Sequence, residues 1–127
     1  MSRFFWICVG GAAGTGARYL VSGWALALMG PAFPWGTLAV NVTGSFLLGG
    51  LMHLALTTRL LAPTLRLALT SGVLGGFTTY STFNYETLQY LREGALAIGI
   101  ANILLTVGAC LAAGVSGLAL AQWWAGA

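Results

Sequence analysis

Apolar residues fill four long stretches of the chain, and polar residues fall between them or recur at turn spacing inside them. The first stretch, about 4–29, ends at Gly30-Pro31-Ala32-Phe33-Pro34, whose prolines and glycine cannot carry a helix further. The second, about 35–56, begins at Trp35, an indole suited to a membrane interface, and stops before Arg59. The third, about 63–91, opens with Pro63 at a permitted first-turn position and ends at Arg92 and Glu93. The fourth, about 95–124, closes on Gln122, Trp123 and Trp124 at the far interface. A span needs roughly 20 residues, so the pattern predicts an all-α membrane protein: one domain over 1–127, built of four transmembrane helices.

Small residues recur at helix-contact spacing in Gly10 with Gly14, Gly72 with Gly76, and Ser45 with Gly49. In lipid, such faces let backbones approach closely, so they are expected between helices. The polar stripes follow the same period. Thr37, Asn41 and Ser45 stand at i, i+4 and i+8 in the second helix, and Asn102 and Thr106 repeat the spacing in the fourth. They can line one path, or each asparagine can simply bond a neighbouring helix.

The third helix is the irregular one. Its middle reads Gly72-Val73-Leu74-Gly75-Gly76-Phe77-Thr78-Thr79-Tyr80-Ser81-Thr82-Phe83. Glycine costs about 1 kcal/mol per helical position relative to alanine, and Thr and Ser side chains compete for backbone hydrogen bonds. The helix is therefore expected to break in mid-membrane, around Gly75 to Thr79; the alternative is a glycine-rich packing kink. A break at that depth needs protein or a water-filled cavity around it, and such breaks commonly form ion or substrate sites. Carbonyls at the end of the first half suit a cation, and N–H groups at the start of the second suit an anion. Tyr80 and Phe83 share a face beyond the break, with Ser81 and Thr82 beside them. Their rings can be packing, or their electropositive edges can meet a small anion.

Composition agrees with a lipid solvent. Of 127 residues 58% are hydrophobic and 6% charged, against roughly 25% charged in soluble domains, and the mean hydropathy is +0.89. The net charge of +3 comes from five scattered arginines, Arg3, Arg18, Arg59, Arg66 and Arg92, which form no nucleic-acid patch. Arg3, Arg59 and Arg66 fall near one side and Arg92 near the other, a weak bias that favours an N-in orientation yet permits both. Arg3 and the run after it resemble a signal peptide, but the apolar character resumes at Tyr19, so the segment is expected to be retained as the first helix. Cys8 and Cys110 carry no redox or zinc spacing and are expected to be packing residues.

Ionisable groups are few. Arg18 lies near the middle of the first helix, where a charge defaults to a functional site; it can face a watery vestibule or bind carbonyls near the break. Glu86, one turn past Thr82, is the one acid placed to lie inside the protein, or else at its interface, and His53 is expected at the interface. No nucleophile has a base beside it and no cluster has metal-ligand spacing, so an enzyme is not expected.

The run Gly36-Thr37-Leu38-Ala39-Val40-Asn41, followed by Gly75-Gly76-Phe77-Thr78-Thr79-Tyr80-Ser81-Thr82-Phe83, resembles the CrcB/Fluc fluoride channels. Gly10-Gly11-Ala12 with Arg18, the Pro34-Trp35-Gly36-Thr37 start of the second helix and the overall length fit too, so the likeness covers nearly the whole chain. The resemblance implies an antiparallel, dual-topology homodimer in the lipid bilayer of a bacterial plasma (inner) membrane, with two pores that export fluoride passively. It implies a structural Na⁺ at the dimer interface, held by the backbone carbonyls of Gly75 and Thr78 of both subunits. The fluoride pathway would then run over Asn41, Tyr80, Ser81, Thr82, Phe83, Asn102 and Thr106, with Thr37 and Glu86 on the same faces and Arg18 at a vestibule. Tyr80 replaces the family's commoner first phenylalanine, and the fourth helix follows the pattern least closely, at Ile98 and Asn102. The runner-up is a small four-helix proton-coupled cation or drug antiporter, which needs a titratable acid in the membrane; Glu86 is its one candidate. A non-transporting subunit of a larger membrane assembly is the third reading.

Overall fold

The computed structural model describes residues 1–126, and every regular element among them is helical. The first helix, α1, is Ser2–Met29; it stops at Gly30, whose φ of 78° lies where only glycine is at ease and whose N–H bonds to the Leu26 carbonyl. Helix α2, Trp35–Thr57, follows the proline turn directly.

The next helix, α3, is a composite. It starts as Pro63–Leu67, widens into a π-helical stretch over Ala68–Leu74 and ends in the turn Gly75–Phe77. Thr78 and Thr79 are extended, with φ/ψ of −87°/160° and −153°/119°. Helix α4 is Tyr80–Arg92, and a glycine turn at Gly94, φ 80°, leads to α5, Leu96–Ala125.

The interruption is narrower than expected. Gly75 and Gly76 stay helical, and the chain leaves the helix at the two threonines instead. Glycine's weak helix preference is overridden where the backbone is held from outside. Gly76 lies against Gly11 and Thr15 of α1, and a Cβ there would come within 2.6 Å of the Gly11 carbonyl oxygen. The π-helical stretch, with its extra residue in a turn, had no expectation behind it; such bulges occur frequently at functional sites.

Two helix pairs organise the molecule, α1 along α3 and α2 along α5. Glycines make both approaches possible. A Cβ at Gly14 would overlap the Val73 carbonyl, one at Gly72 would sit 2.8 Å from the Ile7 carbonyl oxygen, and one at Gly117 would overlap the Phe46 carbonyl. The spacing of Gly10 with Gly14 and of Gly72 with Gly76 thus marks one real helix contact, and Gly49 meets Gly114 in the other.

Helices α2 and α5 are long and apolar enough to cross a membrane. Helix α1 is also long, at 28 residues, but carries Arg18 and many small residues, while the α3–α4 segment is divided by its hydroxyl run. The outer faces are apolar: Trp24, Leu104, Leu111, Val115 and Trp123 are all exposed, an inside-out distribution for water and an ordinary one for lipid.

Candidate functional site

The polar side chains converge on the gap between α3 and α4. Thr78 closes α3, its N–H and its hydroxyl both donating to the Leu74 carbonyl at 3.1 and 3.0 Å. Thr79 opens α4 as its N-cap, a position where threonine is favoured; its Oγ1 accepts from the Thr82 N–H at 3.3 Å and donates to Thr82 Oγ1 at 3.1 Å. The same oxygen is 3.5 Å from Ser81 Oγ.

Asn41 bridges the gap from α2. Its Nδ2 donates to the Thr79 carbonyl at 3.0 Å, and its Oδ1 accepts from the Thr79 N–H at 2.8 Å. One amide side chain thereby pairs with both polar groups of an extended residue, as a neighbouring strand would. Close approach is needed for this: a Cβ at Gly44, one turn along α2, would overlap the Thr78 methyl. The stripe expected along α2 is thus brought to the break, and of its two possible uses for Asn41 the helix-to-backbone bond is in place.

Arg18 reaches the same region from α1, its Nε donating to the Gly76 carbonyl at 3.0 Å. Of the two expectations for this residue, carbonyl binding is the observed one. The interaction places a cation where helix α3 ends and its carbonyls are short of partners. Among the described residues, no hydrogen bond reaches the carbonyl oxygen of Gly75 or of Thr78.

Beyond the break, Tyr80 and Phe83 form an edge-to-face pair with centroids 5.7 Å apart and planes at 65°. They differ in burial. Phe83 is 8% exposed, whereas Tyr80 is 77% exposed and projects from the protein. Both line an open groove of about 480 Å³, with Asn41, Gly75, Thr78 and Thr106. Its walls are otherwise apolar, apart from Ser45, Thr70 and Thr79.

Two further hydrogen-bonded sets flank Phe83. Thr37 donates to Glu86 Oε1 at 2.6 Å, tying α2 to α4 one turn past Thr82, so Glu86 lies against another helix and is only partly exposed. On the other side, Asn102 is 1% exposed; its Nδ2 donates to Thr87 Oγ1 at 2.9 Å, and its Oδ1 accepts from Thr106 at 3.2 Å. Thr87 in turn donates to the Phe83 carbonyl at 2.8 Å. Thr87 and Thr79 were absent from the expected pathway. Thr87 follows Phe83 by one turn and shares its buried face, which is the signal that would have found it. His53 lies beside a second, apolar groove with its Nε2 enclosed.

Neutral hydroxyls, amides and ring edges gathered at an interrupted helix, inside a chain with an apolar exterior, define a membrane protein with a polar cluster among its helices. Residues 5–118 match the family described as CrcB-like protein, Camphor Resistance (CrcB). The chain belongs to this family. It is 57% identical over 122 residues to the "Fluoride-specific ion channel FluC" of Sorangium cellulosum (strain So ce56), covering 96% of each chain. It is 55% identical over 126 residues to the protein of the same name from Anaeromyxobacter dehalogenans (strain 2CP-1 / ATCC BAA-258), 99% of this chain and 100% of that one. With that of Geobacter sulfurreducens (strain ATCC 51573 / DSM 12127 / PCA) it shares 50% over 122 residues, 96% and 98% of the two chains.

Proposed function

We propose that this chain is a fluoride-selective channel that releases fluoride passively down its electrochemical gradient. The carrying observation is the end-to-end similarity to proteins named as fluoride-specific channels, joined to a site built of uncharged donors. Fluoride holds water tightly, so a pore must replace part of that shell without binding the ion so firmly that it stays. The hydroxyls of Ser81 and Thr82, the second N–H of the Asn41 amide, and the edges of Phe83 and Tyr80 offer many weak contacts of this kind, while the Thr106 hydroxyl and Asn102 amide bond each other behind them. Thr37 and Glu86 stand at one end of the track. Arg18 acts at the break as a structural cation, with its Nε occupied by the Gly76 carbonyl.

The working unit in this reading is an antiparallel, dual-topology homodimer crossing the bacterial plasma membrane several times, with the break of α3 at mid-membrane. The groove beside Phe83 and Tyr80 is open along one side, and Tyr80 is left uncovered by its own chain, so a second copy would complete the wall. The Gly75 and Thr78 carbonyls suit a hard cation such as Na⁺: both residues line that groove, and neither oxygen accepts a hydrogen bond among the described residues. Two copies would bring four such oxygens together, and Na⁺ bound there would neutralise facing carbonyl dipoles and hold the subunits in register.

The reading is tested by fluoride efflux from liposomes, followed with a fluoride electrode after adding a potassium ionophore. Fluoride leaves quickly through the unsubstituted protein and chloride does not. Phe83→Ile slows fluoride efflux while keeping the size-exclusion profile; undiminished flux in this variant would count against a role for the ring edge.

A further inference from the structure

Threonine hydroxyls bonded to a carbonyl four residues back are common in this chain, at Thr57, Thr58 and Thr70 among others. Thr87 is different. It is 6% exposed, and besides donating to the Phe83 carbonyl its oxygen receives a hydrogen bond from another helix, from Asn102 of α5. Among the described residues this is the one side-chain hydrogen bond between α4 and α5.

The proton directions are forced. The Phe83 carbonyl can only accept, so the single hydroxyl proton of Thr87 goes to it. Thr87 must then accept from Asn102, which turns the amide nitrogen toward α4 and the amide oxygen toward Thr106; Thr106 must donate. The result is a closed strut, Thr106 to Asn102 to Thr87 to the Phe83 backbone, whose two ends both border the groove.

We propose that Thr87 is a positioning residue: with Asn102 it fixes the α4 turn that carries Phe83 at a set distance from α5, and so sets where the Phe83 ring edge meets the groove. This rests on the fluoride-channel reading for its functional consequence. Its geometric content is independent of that reading.

Two readouts test it. The first is the fluorine NMR line of para-fluorophenylalanine incorporated at position 83. Thr87→Val, similar in volume but without the hydroxyl, shifts and broadens that line, and Thr87→Ser restores it. The second is initial fluoride efflux. Thr87→Val lowers it about fivefold, the rate equivalent of one net hydrogen bond, and Thr87→Ser recovers it. In a Phe83→Ile background the same Thr87→Val change lowers efflux by less than about twofold, since the ring it positions is gone. An unaltered fluorine line in Thr87→Val overturns the proposal, as does an equal loss of efflux in both backgrounds. Should Thr87→Val fail to purify with the unsubstituted protein's size-exclusion profile, Thr87→Ala makes the same comparison. Absent efflux from the unsubstituted protein would sink the channel reading alone, and the fluorine line would still decide the positioning role.

Discussion

At Asn41 a single side chain takes the place of a missing helical turn. Among the described residues the extended Thr79 peptide has no backbone partner, and the Asn41 amide supplies both an acceptor and a donor. Asn41→Leu keeps the approximate volume and leaves both Thr79 groups unpaired, a cost of about 1–3 kcal/mol for each buried group. The expected outcome is a lower unfolding temperature in detergent together with lost fluoride efflux, whereas a variant that merely removed an ion contact would keep its stability. The importance of Asn41 was legible from its place on the Thr37-Asn41-Ser45 stripe. What it binds was not, because a helical period says which residues share a face and nothing about which backbone that face meets. Thr87 was illegible for a related reason: a threonine that bonds its own helix and one that ties two helices look alike in one dimension.

The elements are set by apolar length and by small-residue faces. Prolines and glycines end α1 and start α2, Trp35 opens α2 and Trp123 and Trp124 close α5, so four helical stretches could be read directly. The interruption of the third stretch was legible as an event and misplaced in detail. Counting glycines put its start at Gly75, but Gly76 is pressed against the α1 backbone and remains helical, while Thr79, an N-cap type, marks where the next helix can begin. The π-helical stretch, which packs along α1, had no readable signal in the sequence. Close approach of α1 and α3 is the element-scale claim. Gly14→Leu places a side chain into the Val73 carbonyl, and we expect it to drive α1 away from α3 and leave the protein aggregated in size-exclusion chromatography. Gly16→Leu, on an open face of the same helix, is expected to elute as the unsubstituted protein does.

On the scale of the whole molecule, the site stands open at the surface of the chain. A ring from the site stands 77% exposed, two carbonyls at the break have no hydrogen-bond partner among the described residues, and the groove that joins them is open. In the proposed antiparallel dimer, a second copy would cover all three. With Cys8 and Cys110 replaced by alanine and Ala62→Cys introduced on the exposed loop before α3, the dual-topology reading expects one population labelled from outside intact cells and another only after permeabilisation. Labelling from one side alone would contradict it. Membrane residence and an uncharged ion path could be argued from composition and spacing; fluoride as the ion came with the Gly75 to Phe83 run, because weak neutral donors by themselves suit several small anions. The central claim, selective passive conduction of fluoride, is tested most directly by current across a planar bilayer with a fluoride gradient and equal chloride on both sides. The account predicts a current that reverses at the fluoride equilibrium potential, and a reversal at zero, where chloride would place it, would contradict it.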